Sequence, residues 1–176
     1  STFSITTASG NLRVGNIDTS STTALIANGA GADVITAGTV TSTNGPVTIQ
    51  ANGGANSDIL LNNNVTSGAV LNLTSGTGAG ADVTLAAGVT AQGTTTNVTT
   101  PDLNINAGSN LTATTGSANI QSNLVGTTAL TVDFLGNGNI TASSGNVLFN
   151  NTTAVSVTVT GGAANGVITA NAAAGI

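Results

Sequence analysis

Four aspartates, Asp33, Asp58, Asp82 and Asp102, each stand directly before an apolar residue that opens a short alternating stretch: Val34, Ile59, Val83 and Leu103. If those stretches lie side by side as strands, the carboxylates form an outward column at the strand spacing of ~4.8 Å. Neighbouring carboxylates at that spacing repel by ~0.9 kcal/mol per pair, even screened as in bulk water. A cation would relieve the repulsion, and calcium, which takes carboxylate and carbonyl oxygens, is the ion the column suits. The competing reading is local: each Asp accepts hydrogen bonds from backbone amides at a turn before its strand.

Two flanks, 29–35 (Gly-Ala-Gly-Ala-Asp-Val-Ile) and 78–84 (Gly-Ala-Gly-Ala-Asp-Val-Thr), resemble the calcium-binding nonapeptide of repeat-in-toxin proteins, and 54–60 follows it more loosely. The frame differs. That motif turns inward the apolar residue two places after Asp, whereas the equivalent positions here, Ile35, Leu60, Thr84 and Asn104, decay to polar.

A second column joins Thr41, Thr66, Thr90, Thr112, Thr141 and Thr169, with Asp18 in the same place near the start. Ranked threonines resemble the face of ice-binding β-solenoids, which implies an ordered water-facing surface. The neighbouring outward rank, Thr43, Gly68, Gln92, Thr114, Ser143 and Asn171, is broken. Threonine is also a good strand former whose like-with-like pairs stabilise sheets. Asn-x-Thr triplets begin at Asn64, Asn72, Asn97, Asn110, Asn139, Asn150 and Asn151. They would accept glycans in a suitable secretory pathway, and chance alone produces them in an Asn- and Thr-rich chain.

Enzymatic chemistry has little to work with. The chain of 176 residues carries one basic residue, Arg13, six acids, all Asp, and no His, Lys, Glu or Cys. A Ser-His-Asp triad or a zinc site cannot be assembled from that set, and Asp133 stands apart from other carboxylates, so paired acid–base work has no evident seat. No catalytic residue and no organic cofactor is expected. Charged residues make up 4% of the chain, against about a quarter in ordinary soluble proteins, so solubility rests on Thr, Ser and Asn. Acidity without a basic patch speaks against nucleic acid and anionic membranes. No apolar run approaches the ~20 residues of a membrane span. Without Cys or Met there is nothing to oxidise, which suits an extracellular setting. The absence of an initiating Met and of a signal segment suggests an excised piece of something longer.

The elements that would position these columns come from one recurring phrase, clearest over 81–93 (Ala-Asp-Val-Thr-Leu-Ala-Ala-Gly-Val-Thr-Ala-Gln-Gly). It reads as strand, glycine corner, short strand and glycine corner. Three strands repeat per coil. Strand A turns inward Phe3/Ile5, Val47/Ile49, Leu71/Leu73, Thr96/Val98, Ala118/Ile120 and Val147/Phe149, with Ala24/Ile26, or the same pair shifted by one, in the second coil. Strand B turns inward Leu12/Val14, Val34/Thr36, Ile59/Leu61, Val83/Leu85, Leu103/Ile105, Val132/Phe134 and Val157/Val159. Strand C presents Ile17, Val40, Val65, Val89, Leu111, Ile140 and Ile168, followed two places on by Thr19, Ser42, Ser67, Ala91, Ala113, Ala142 and Ala170.

Gly or Asn marks each corner before strand C: Asn16, Gly38, Asn64, Gly88, Asn110, Asn139 and Gly166. Coil length, roughly 21–29 residues judged from Ile5, Ile26, Ile49, Leu73, Val98, Ile120 and Phe149, varies mainly between strands A and B, as at 75–81, 124–129 and 150–156. This is an all-β, single-stranded parallel β-helix (β-solenoid) of about seven coils, right-handed by the general rule for parallel crossovers. Residues 1–176 read as one β-helix segment without caps, which predicts either a longer chain or identical subunits stacked end to end.

Phrases such as Val47-Thr48-Ile49-Gln50-Ala51, 102–108 (Asp-Leu-Asn-Ile-Asn-Ala-Gly) and Gly138-Asn139-Ile140-Thr141-Ala142 resemble filamentous haemagglutinin-type exoproteins and autotransporter passengers of bacteria. The resemblance covers nearly the whole chain. It implies a secreted, cell-surface, adhesin-like protein in which this segment is a rigid stalk or fibre module, with matrix or host-surface glycans or proteins as partners. The alternatives are a calcium- or glycan-binding β-helix, or a subunit of a self-assembling extracellular filament. A glycan platform would need exposed aromatics, and the only ones are Phe3, Phe134 and Phe149, all assigned inward.

Overall fold

A computed structural model describes residues 2–123, 129–134, 137–149, 156–161 and 169–172. Within them the chain has no helix. The first coil holds β1 (Thr2–Thr7), β2 (Leu12–Val14) and β3 (Ile17–Thr19); the second β4 (Thr22–Ala27), β5 (Val34–Thr36) and β6 (Val40–Ser42); the third β7 (Val47–Ala51), β8 (Ile59–Leu61) and β9 (Val65–Ser67). The fourth holds β10 (Leu71–Thr74), β11 (Asp82–Leu85) and β12 (Thr90–Gly93), and the fifth β13 (Thr96–Thr99), β14 (Asp102–Ile105) and β15 (Asn110–Ala113). Then come β16 (Ala118–Gln121), β17 (Ala129–Phe134), β18 (Asn139–Ala142), β19 (Val147–Phe149), β20 (Ser156–Gly161) and β21 (Thr169–Ala172). Five coils are described without interruption. The corner at Gly166, Val167 and Ile168, most of the connections 124–129 and 150–156, and the triplets at Asn150 and Asn151 lie outside the described residues.

Strands one coil apart pair in parallel, giving three seven-stranded sheets that run β1 to β19, β2 to β20 and β3 to β21 in steps of one coil. The chain is a parallel β-solenoid. Alternation drives it: Val47, Ile49 and Ala51 of β7 are buried while Thr48 and Gln50 between them are half-exposed. In-register pairing then stacks like on like, so that Leu25, Ile49, Leu73, Val98 and Ile120 form one buried aliphatic file, and Val34, Ile59, Val83, Leu103 and Val132 another. Each fully buried Leu or Ile contributes roughly 1.5–3 kcal/mol relative to exposure, but only because the next coil covers it.

The registers depart from the sequence reading in three places. In the second coil Thr23 and Leu25 stand in line with Val47 and Ile49, so the pair is the shifted one and Ile26 lies half-buried outside. Burying Thr23 is tolerated because its hydroxyl pairs with that of Thr19 at 2.8 Å, which avoids an unsatisfied polar group. In the fourth coil Ala91, not Val89, stands beside Val65, and Gly93 beside Ala113 takes the second inward place expected of Ala91. A hydrogen-bonded turn, Val89 N to Ala86 O at 3.1 Å, lengthens the corner there and tucks Val89 in at its end. Gly88 supplies the positive φ, 75°, that this turn requires at its third residue. In the seventh coil Val159 pairs with Val132 and Val157 with Leu130, while Ala170, not Ile168, stands beside Ile140.

Candidate functional site

The acidic rank exists, and it is a hydrogen-bond relay between coils. Register pairing places Asp82 directly beside Asp102 at the starts of β11 and β14. In the first coil Asn11 fills the corresponding place: its Nδ2 donates to Asp33 Oδ2 at 3.0 Å and its Oδ1 accepts from Asp33 N at 2.9 Å. Asp33 Oδ1 then accepts from Asp58 N at 3.1 Å, and Asp58 Oδ1 from Asp82 N at 3.0 Å. Each side chain therefore satisfies the amide that opens the next coil's B strand. For Asp33 and Asp58 the carboxylate meets a backbone amide, supplied one coil along.

The relay stops at Asp102. Its corner is short, and Thr100 folds back so that Asp102 N donates to Thr100 Oγ1 at 3.4 Å while Thr100 Oγ1 donates to Asp102 O at 2.7 Å. Asp82's own carboxylate thus loses the donor that the earlier coils supply. Asp102 Oδ1 is buried without a hydrogen-bond partner. One coil on, Asp102 pairs with Thr131, and Asp133 lies beside Asn104 in the adjacent rank.

Burial and crowding raise the carboxyl pKa values. Asp82 is pushed up to about 6, by burial first and then by the charges of Asp102 and Asp58. Asp102 is raised by burial and then by Asp133, with the Leu103 amide working against it. Asp58 is raised by burial and by Asp33, offset in part by the Asp82 amide. These are the effects expected of like charges stacked at strand spacing. Of the expected calcium column, Asp33, Asp58, Asp82 and Asp102 each stand in a different coil, and among the described residues no three acidic side chains form a group that could hold a metal ion. The carboxylates of Asp33 and Asp58 are each tied to the next coil's amide, and that of Asp82 is not.

The threonine column is broken by the register of the fourth coil. Asp18, Thr41 and Thr66 are in line, but the next place is Gln92. Thr112 and Thr141 follow, then Asn171. The longer fourth-coil corner moves Thr90 to the neighbouring rank beside Asn110, where Thr169 also stands, beside Asn139. The file is interrupted at its middle.

Asparagine ladders were the feature that residue typing alone missed. Asn97 Nδ2 donates to Asn72 Oδ1 and Asn119 Nδ2 to Asn97 Oδ1, both at 2.8 Å. Asn52 to Asn28 at 3.0 Å, just past strand ends, and Asn139 to Asn110 at 3.1 Å, at strand starts, repeat the contact. The signal was available as Asn recurring at one outward strand position in successive coils. Of the candidate glycan acceptors, Asn72, Asn97, Asn110 and Asn139 have their amides engaged in these ladders, and Asn64 Oδ1 accepts from Thr90 N at 2.8 Å.

Of the aromatics, Phe134 is buried, whereas Phe3 is 38% exposed on the first strand. No cavity is found and no helix is long and apolar enough to cross a membrane among the described residues. The fold and its outward columns define the class, a parallel β-solenoid with Asn and Asp side chains that bridge successive coils. Compared with models of known families, with curated proteins and with solved structures, the chain matches none.

Proposed function

We propose that this chain is a non-enzymatic structural element: a β-helical stalk or fibre module of a secreted bacterial cell-surface protein, adhesin-like and of the filamentous haemagglutinin kind, that holds attached parts apart as a rigid spacer. The observation that supports this reading is the in-register parallel pairing of all three sheets from coil to coil. Continuous ladders along the rod, an aliphatic file beneath each sheet and side-chain bridges outside make every coil support its neighbours. Such an arrangement resists bending and presents an almost uncharged Thr/Asn/Ser surface with little to attract unintended contacts.

Electron microscopy of the intact protein isolated from cells tests the reading. A spacer predicts this segment inside an extended, uniform rod at the cell surface. Compact globular particles, or an intracellular location, would overturn it.

A further inference from the structure

We propose that Asp82 and Asp102 form a proton-operated clasp between the fourth and fifth coils, so that mild acidification tightens the rod at this junction. The geometry carries the proposal. In the earlier coils each carboxylate of the rank accepts a hydrogen bond from the following coil's aspartate amide. Between the fourth and fifth coils that amide is directed to Thr100 instead. Two carboxylates are left side by side in register, no described donor reaches Asp82's carboxylate, and Asp102 Oδ1 is buried without a partner. One proton taken from solvent onto an Asp82 oxygen removes a charge and creates an O–H that can donate to Asp102. The gap in the relay closes.

The surroundings reinforce this. The elements packed against the pair bring only acids: Asp58 just before β8, with Asp33 one coil further away, and Asp133 on β17. The adjoining corners 76–81 and 100–101 carry no titratable side chain, and the one base, Arg13, stands in the first coil beside Ile35. With no cation nearby, a proton is the available counter-charge. Asp82 titrates higher in the folded chain, at about 6, than its ordinary value of 3.8. Between these values the folded state binds more protons than the unfolded state, so stability rises as pH falls through about 6 and is fully gained below the ordinary value. The raised values of Asp58 and Asp102 act in the same direction.

The test is thermal unfolding of the whole chain across pH 4.5–7.5, with Asp82→Asn, Asp102→Asn and the distant Asp18→Asn as variants, alongside carboxyl-carbon NMR titration of the unaltered protein. Expected is a melting temperature that rises by a few degrees on acidification, an unchanged slope in Asp18→Asn, and a flattened slope in both clasp variants. Asp82→Asn should also match or exceed the parent at pH 7.5, because its amide supplies the missing donor. A parent midpoint that stays level or falls on acidification overturns the proposal. So does a slope that survives both clasp variants, or an Asp82 carboxyl that titrates near 4.

Discussion

The first three coils and the two that follow build the same three-sheet section with different corners. In the first three, the link from B strand to C strand is short and is held by side chains: Asn16 Oδ1 accepts from Thr39 N at 3.0 Å, and Asn63 Nδ2 donates to Ala37 O at 2.9 Å. In the fourth and fifth it is a closed backbone turn, Ala86 to Val89 and Asn106 to Ser109, with Gly88 and Gly108 at φ of 75° and 71°. The inner corner after strand C changes at the same place. Thr19, Ser42 and Ser67 give way to Gly93 and Ala113. A solenoid coil has to match only its two neighbours, so one rod can pass from one corner chemistry to another wherever a single junction tolerates both. That junction is β9 against β12, joined through two residue pairs, Val65 with Ala91 and Thr66 with Gln92.

The largest effect should come from weakening the boundary between the third and fourth coils, which β8 and β11 also form. Leu61 in the third coil lies beside Leu85 in the fourth, both fully buried, and Leu61→Ala should cost roughly 2–5 kcal/mol. Because stability along a solenoid is a sum of coil and neighbour contributions, this loss should split thermal unfolding into two steps, one for each corner type. Leu25→Ala, well inside the first region, should lower the midpoint without splitting it. Calorimetry decides: a single transition for Leu61→Ala would show that the two regions are one cooperative unit.

Next come the glycines that make the two corners. At Gly38 a Cβ would meet the Asn16 backbone nitrogen at 2.5 Å and the Gly15 carbonyl carbon at 2.6 Å, so Gly38→Ala forces backbone apart and should cost roughly 2–3 kcal/mol. At Gly88 nothing lies within 4 Å and only the positive φ is at stake, so Gly88→Ala should cost about 1 kcal/mol. Denaturant titration of the two variants distinguishes a corner limited by space from one limited by torsion. Equal losses would erase that distinction.

The inner corner offers a smaller test. Ser67 Oγ lies 3.0 Å from both Gly45 O and Val70 O, either of which can accept its one proton, and accepts from Val47 N at 3.2 Å, so one hydroxyl serves backbone groups of two coils. Ser67→Ala should cost about 1–2 kcal/mol, whereas Ala113→Gly, at the equivalent place in the fifth coil, removes only a methyl. Unfolding free energies of the pair that came out in the reverse order would mean the hydroxyls are incidental to the first region.

How much of this was legible follows from what alternation can encode. Strand B was readable through Phe134 because Val83/Leu85 and its counterparts alternate strictly, and period two has one solution when one face is buried. Strand C slipped by two at Val89, a shift that keeps the inside–outside parity and leaves no trace in the pattern. Only the turn geometry at Gly88 decides it. The acidic rank was visible as a column, but its use was not. Whether Asp58 meets a cation or the Asp82 amide depends on a distance across coils, and a Gly- or Asn-marked corner leaves that distance open. Asn11, which opens the relay, and Thr100, which ends it, carry no residue-type signal that sets them apart from the chain's many other Asn and Thr residues.

The smallest predicted effect sharpens the comparison at the surface. Gln92 interrupts a file that otherwise runs Thr41, Thr66, then Thr112 and Thr141, and it stands in the strand that joins the two regions. Gln92→Thr would make the file continuous without touching the core, since residue 92 faces outward beside buried Ala91 and Gly93. Threonine gains a little strand propensity and two like-with-like neighbours, so the expected gain is within about 0.5 kcal/mol. Its value lies in where the gain appears. If the two regions unfold separately in Leu61→Ala, adding Gln92→Thr should draw the two transitions together, because the new contacts fall on the junction strands themselves. A gain in overall midpoint with the separation unchanged would place the weak point elsewhere than β9 against β12.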